Sequence, residues 1–147
     1  MSAADVVDRY LQALPGETRR LAHTEWGISI DAEHAGGYPL DVGVRIAEGI
    51  LTAQAFALPA NELVNPWNFL HWNRGTRFVR FACTSAGDIW LHGDLPVAAV
   101  TDEASVDRLL GLLVEGALAA REYVFAKKAE AEGTAPSEGG GWLTPRA

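Results

Sequence analysis

The sequence predicts an α+β domain in which helices pack on a twisted antiparallel sheet, with the element order helix, three strands, helix, two strands, helix (α-β-β-β-α-β-β-α). Short segments in which apolar and polar residues alternate predict strands with one buried face. Segments near both ends instead repeat apolar residues at three- and four-residue spacing, as amphipathic helices do. Between them, residues 65–95 combine a Trp-rich helix with an aromatic hairpin.

The first helix is predicted from its cap and its stop. Asp5 can accept hydrogen bonds from the free backbone N–H groups of a helix start, and Pro15-Gly16 ends the helix. A polar connection then leads to the first strand. The apolar stripe of this helix is Val6, Val7, Tyr10, Leu11 and Leu14.

Three strands are predicted between residues 25 and 58. In the first, apolar residues at 26, 28 and 30 alternate with polar neighbours, and a flexible loop at residues 34–37 follows. The second strand covers about residues 40–46, and Glu48-Gly49 makes the hairpin turn to the third. Small residues on one face of the third strand let a helix approach the sheet closely. They are Leu51, Ala53, Ala55 and Ala57.

The central helix starts at Asn65-Pro66, because Asn accepts backbone hydrogen bonds and Pro at the first helical position gives up a donor that would be unpaired anyway. Gly75 is its predicted stop. Trp67, Leu70 and His71 share one side of this helix, whereas Phe69 and Trp72 lie on another. Its apolar surface is wider than one sheet face would cover, so a second contact is expected.

Two further strands, at about residues 77–84 and 88–95, form a hairpin with large side chains on both faces. Cys83 is the one cysteine, so an internal disulfide is not possible. Because Cys83 alternates with Val79 and Phe81, we expect a buried structural thiol.

The last helix is predicted over about residues 102–129, with Thr101 as its cap. At 1.5 Å per residue it would be about 40 Å long, which exceeds what a small sheet can cover. We therefore predict one domain over residues 1–130 and a flexible tail over residues 131–147. The apolar stripe of the helix is Val106, Leu109, Leu110, Leu113, Val114, Ala117, Leu118, Val124 and Phe125.

Trp142-Leu143 lies beyond Gly139-Gly140-Gly141 in this tail. Two interpretations stay open. The pair is either a tethered motif that docks on a groove of the same dimer or of a partner, or the end of a tail without a binding role.

Composition excludes several classes of function. The net charge of −7 over 147 residues argues against direct nucleic-acid binding as the main role. Arg74, Arg77 and Arg80 form a local basic cluster and leave a regulator that touches nucleic acid as a third hypothesis. There is no uncharged apolar run of the roughly 20 residues that a membrane span needs. Without a signal-peptide pattern at the start, we predict a cytoplasmic protein.

Catalytic and metal motifs are not found in the sequence. The four histidines are isolated, without the local spacing of familiar zinc sites. A nucleophile elbow, a phosphate loop and a dinucleotide fingerprint are also missing. We therefore predict no catalytic residue, no metal site and no cofactor.

A family resemblance rests on six short motifs between the Trp-rich helix and the last helix, and it covers about residues 63–125. The motifs are Leu70-His71-Trp72-Asn73, Arg77-Phe78, Phe81-Ala82, Gly87-Asp88-Ile89-Trp90-Leu91, Asp94-Leu95-Pro96 and Thr101-Asp102-Glu103. With these motifs the chain resembles the YbjN family, which is similar to the secretion chaperones of type III secretion systems. The resemblance implies a small, acidic, usually dimeric and non-enzymatic protein linked to chaperoning or regulation.

The resulting hypothesis is a homodimeric, chaperone-like or regulatory module that binds a segment of a partner protein. Exposed carboxylates would steer a basic partner, and a groove or sheet edge would accept an extended segment. The alternative is a small-ligand sensor or an enzyme with a pocket between the sheet and the Trp-rich helix. The candidate protein-binding or dimer residues are Trp67, Phe69, Trp72, Phe78, Trp90 and Trp142.

Overall fold

A six-stranded antiparallel sheet with three α-helices on one face forms the fold, in a computed structural model that describes residues 1–133. The strand order is β1-β2-β3-β4-β6-β5. The α+β architecture predicted from the sequence is confirmed. In chain order the elements are α1 (Ala3–Gln12), β1 (Glu17–Ala22), β2 (Glu25–Ile30), β3 (Leu40–Ala47), β4 (Ile50–Leu58), α2 (Pro66–Trp72), β5 (Val79–Cys83), β6 (Ile89–Pro96) and α3 (Glu103–Ala131).

One strand, β1, was not predicted. Residues 17–22 were expected to be a polar connection, but they pair with β2 at the edge of the sheet. Nearly all side chains of β1 are exposed, so the strand lacks the apolar alternation that identifies the other strands. An edge strand without a buried face leaves no hydrophobic signal in the sequence.

Two of the predicted helix caps are wrong by one to three residues. Ser2 rather than Asp5 caps α1: the Ser2 hydroxyl accepts from the Asp5 N–H at 3.2 Å, and the Asp5 carboxylate accepts from the Ser2 N–H at 3.1 Å. The Ser2 hydroxyl also donates to the Asp5 carboxylate at 2.8 Å, and this bond, together with the one from the Ser2 N–H, lowers the pKa of Asp5. In α3 the cap is Asp102, which accepts from the Ser105 N–H at 3.0 Å. The start of α2 is as predicted, with Asn65 as the cap and Pro66 in the first helical position.

The hairpin turn between β3 and β4 is also as predicted. Glu48 and Gly49 have φ values of 52° and 77°. Positive φ at both central residues is the requirement of the two-residue turns that match the twist of the flanking strands.

The core lies between the helices and the inner face of the sheet, and α3 packs closely across β4 and β6. All four predicted small or apolar residues of β4, from Leu51 to Ala57, are fully buried. A Cβ atom at Gly93 of β6 would lie 2.7 Å from Leu109 Cδ1, and one at Gly116 of α3 would lie 3.0 Å from Leu91 Cδ1. The helix can approach the sheet this closely because these positions lack larger side chains.

Two burial predictions are wrong. Cys83 is exposed at the last position of β5. Phe125 was placed on the buried stripe of α3 but is 76% exposed, whereas the adjacent Val124 is 8% exposed, so Val124 rather than Phe125 lies on the packed side of the helix here. Among residues 1–133, no helix is both long enough and apolar enough to cross a membrane.

Arg121 of α3 is buried and holds together a bulge and a loop. The pairing of β4 with β6 is irregular between Phe56 and Leu58, and the carbonyl of Ala57 at this bulge accepts from Arg121 Nε at 2.8 Å. The guanidinium also donates to the carbonyls of Ala35 at 2.5 Å, Tyr38 at 2.7 Å and Pro39 at 3.2 Å. The loop before β3 is thus fixed to α3 by a single cation.

Replacing Arg121 with Met should lower the free energy of unfolding by at least about 3 kcal/mol, because several buried carbonyls lose a charged donor. Arg121→Lys should recover only part of this loss, since an ammonium group cannot reproduce the planar fork. Urea denaturation of the three proteins measures the effect. A loss below about 1 kcal/mol in Arg121→Met would contradict the assigned role.

Candidate protein-binding surfaces

The inner side of α2 is anchored in an aromatic cluster. Ring centroids are 4.8 Å apart for Phe69 and Trp72, 5.0 Å for Phe69 and Phe81, and 5.0 Å for Trp72 and Tyr123. Asn68 Nδ2 donates to the Tyr123 hydroxyl at 3.0 Å, which ties α2 to α3. These contacts fix the orientation of the whole helix.

Phe69 and Trp72 are therefore core residues, at 2% and 9% exposure, and their burial removes them as surface anchors. Helical spacing in the sequence places Phe69 and Trp72 on a different side of α2 from Trp67 and Leu70. It does not show which of these two sides packs against the sheet. Trp72 Nε1 is buried and has no hydrogen-bond partner among residues 1–133.

The other side of α2 is exposed and apolar. Trp67 is 73% exposed and Leu70 is 57% exposed, and Leu63 in the preceding turn is 41% exposed. Residues spaced by three positions lie on one side of a helix. We call Trp67 and Leu70 the α2 face.

The β5 edge of the sheet is closed at its centre by Asn73. The Asn73 side chain accepts from the Phe81 N–H at 2.7 Å and donates to the Phe81 carbonyl at 3.0 Å. It thereby takes the place of a neighbouring strand at this residue. The opposite edge, β1, has exposed side chains along nearly its whole length and is the more accessible edge for an extended segment.

Trp90 lies on the outer face of the sheet, which is the face away from the helices. It is half-buried and packs edge-to-face on Phe56, with ring centroids 5.3 Å apart. His92 follows on the same face, with its ring 6.3 Å from that of Trp90. The outer face therefore carries a small aromatic group between polar side chains.

Polar groups beside this aromatic group form a network. Asp94 accepts from Arg80 at 2.9 Å and from the Thr52 hydroxyl at 3.0 Å. Partial burial lowers the pKa of His92, and the positive charge of Arg80 lowers it further, while Asp94 acts in the opposite direction. Arg80 of the predicted basic cluster is thus engaged in an ion pair on the sheet.

Phe78 is 51% exposed and directly precedes β5. Its φ of 64° lies in the left-handed region, which bulky residues rarely adopt. The structure thus leaves Phe78 available as a surface anchor. The remaining candidate, Trp142, lies outside the described residues.

A surface groove of about 510 Å³ lies beside the C-terminal part of α3. We call it the Arg121 groove. A second hollow of about 240 Å³ lies on the outer face over Gly43. Neither lies under α2, where the ligand-sensor hypothesis placed a pocket. The Arg121 groove is lined by Gly36, Gly37, Tyr38, Leu58, Pro59, Asn61, Arg121, Val124, Phe125 and Lys128.

Sequence analysis missed the Arg121 groove entirely. One signal for it was visible, because Arg121 is a charged residue placed next to the apolar stripe of α3. Its partners are backbone carbonyls from distant segments, which side-chain patterns do not reveal. No group of three or more potential metal ligands occurs within residues 1–133.

Comparison with known proteins gives one family and one fold. The YbjN family model, described as "Putative bacterial sensory transduction regulator", matches residues 47–126, which is more than half of the chain. No curated protein matches the chain.

Two solved structures share the fold. The Yersinia pestis type III secretion chaperone SycH, in complex with a stable fragment of YscM2, matches with a TM-score of 0.57 and 18% identity, over 80% of this chain and 98% of that one. The ExsC-ExsE complex matches with a TM-score of 0.52 and 17% identity, over 87% of this chain and 96% of that one. The resemblance of the fold to a secretion chaperone is confirmed.

The His92 network generates a pH-dependent prediction. Because folded His92 binds a proton less readily than the unfolded chain, stability should fall as the pH drops through the ordinary His range. Arg80→Gln should raise the pKa of His92 and reduce this loss. NMR titration of the His92 ring protons measures the shift, with Arg77→Gln as the control. An unchanged pKa in Arg80→Gln would show that Arg80 does not act on His92.

Proposed function

The chain belongs to the YbjN family, and we propose that it works as a non-enzymatic, chaperone-like module that binds a segment of a partner protein. The observation that carries this proposal is the α2 face. It presents Trp67 and Leu70 to solvent from a helix whose other side is fixed in the core.

The α2 face has the physical properties of a binding anchor. Tryptophan is enriched among the residues that dominate binding energy, and an aromatic side chain loses little conformational entropy on association. Because Phe69 and Trp72 hold the helix, the backbone under Trp67 is ordered before a partner arrives. Preorganisation of this kind lowers the cost of association.

The two structural neighbours support binding of a protein segment. SycH was solved with a fragment of YscM2, and ExsC was solved with ExsE. In both, a chain with this fold is in complex with another protein. For the chain described here, the net charge of −7 favours a basic partner through long-range steering.

The test is affinity capture with tagged full-length protein from native lysate, followed by calorimetry with each captured partner. Trp67→Asp should weaken partner binding by at least about 2 kcal/mol, since a charge replaces an apolar anchor. The thermal transition should stay nearly unchanged, because Trp67 is 73% exposed.

Ala104→Asp is the matched control, because Ala104 is exposed in the first turn of α3, about 28 Å along the helix from Tyr123, which packs against α2. It should leave binding unchanged. Equal binding by the wild type and Trp67→Asp would rule out the α2 face as the anchor. Equal loss in both variants would point to a general effect of added negative charge.

We also propose that the working assembly is a homodimer. Exposed apolar side chains remain on β1 and on the last turns of α3 in addition to the α2 face. Two-fold pairing is the commonest way in which a soluble protein covers such surface.

Light scattering tests the assembly directly. A homodimer should give twice the 15.8 kDa mass of one chain. A mass of one chain at micromolar concentration would remove the homodimer from the proposal without affecting partner binding by a monomer.

A further inference from the structure

We propose that the Arg121 groove is an intramolecular docking site for Trp142 and Leu143 of the same chain. The inference concerns a different surface from the α2 face and does not depend on the proposed function. The two parts are an apolar groove beside the end of α3 and the apolar pair in the segment that follows this helix.

The chemistry of the groove suits a tryptophan side chain. The Tyr38 ring lies against the Arg121 guanidinium, whose central carbon is 3.7 Å from the ring centroid, so one wall is a fixed aromatic surface. Phe125 stands 76% exposed beside this wall. Lys128, which also lines the groove, provides a cation for an aromatic face.

The end of α3 places the following segment close to the groove. At 1.5 Å per residue, the groove residues from 121 to 128 lie about 8 to 18 Å before Gly133 along the helix. The helix ends in a turn in which Gly133 has a φ of 75° and its N–H donates to the Glu130 carbonyl. A left-handed residue at this position stops the chain from continuing along the helix axis.

The connection from Gly133 to Trp142 has a matching length. A Gly-containing chain of this length has a root-mean-square span of about 15 to 18 Å. This span matches the distance from Gly133 to the groove. The effective concentration of a tethered segment at its site is highest when the two lengths match. With an effective concentration on the order of millimolar, a contact whose dissociation constant is well below millimolar would keep the groove occupied.

The occupant we infer is the segment of the same chain rather than a second copy, because tethering needs no other molecule. A partner segment with a similar aromatic and aliphatic pair would have to displace it. Binding of such a partner segment would then release Trp142 from the groove.

Fluorine NMR of the full chain labelled with 5-fluorotryptophan tests the inference. The signal of Trp142 is assigned among the five tryptophans by its loss in Trp142→Phe. In the wild type, this signal should be shifted from that of a free peptide of residues 134–147. In Phe125→Asp it should move to the free-peptide position, because a charge then lies at the apolar rim.

Leu70→Asp is the matched control, since it places the same charge on the α2 face and should leave the Trp142 signal in place. Trp142→Ala gives a second readout, in which the methyl signals of Val124 should shift. A Trp142 signal at the free-peptide position in the wild type would overturn the inference, as would one that Phe125→Asp leaves unchanged. A shift that disappears on dilution would assign the groove to a second copy and would also overturn it.

Discussion

The close approach of α3 to the sheet is the constraint on which the other contacts depend. The helix lies against β4 and β6 where Ala53, Ala55 and Gly93 replace larger side chains. At this distance the two flanks of α3 reach opposite parts of the fold. One flank brings Arg121 to the bulge of β4, and the other brings Tyr123 under α2. Larger side chains under α3 would move both binding surfaces at once.

On α2, packing in the core and the proposed recognition of a partner are divided between two sides of the same short helix. A helix of this length is not stable alone in water, so packing must hold it. Phe69 and Trp72 provide the packing, and their burial leaves Trp67 and Leu70 in solvent. An exposed apolar side chain on a mobile segment would lose entropy on binding, whereas this face is ordered by the core beneath it.

The sequence was sufficient for the elements whose periodicity reflects burial. The strand at residues 50–58 and the Asn65-Pro66 helix start were predicted because alternation and capping are local properties. The edge strand β1 was missed because it buries almost nothing. Sequence spacing showed that α2 has two apolar sides. Choosing between them required the positions of Phe81 and Tyr123, which arrive from distant parts of the chain.

The Arg121 groove and the aromatic group on the outer face differ in the polar groups that surround them, and this determines how each responds to pH. The Arg121 groove rests on a guanidinium bound to backbone carbonyls, and none of these groups changes charge at physiological pH. An ion pair at this buried position would have required the desolvation of two charges, whereas here only the guanidinium is desolvated. The outer face instead carries His92 beside Trp90, and partial burial together with the charge of Arg80 lowers the pKa of His92. The charge of this face therefore responds to protonation, whereas the guanidinium and carbonyls that hold the Arg121 groove do not change charge.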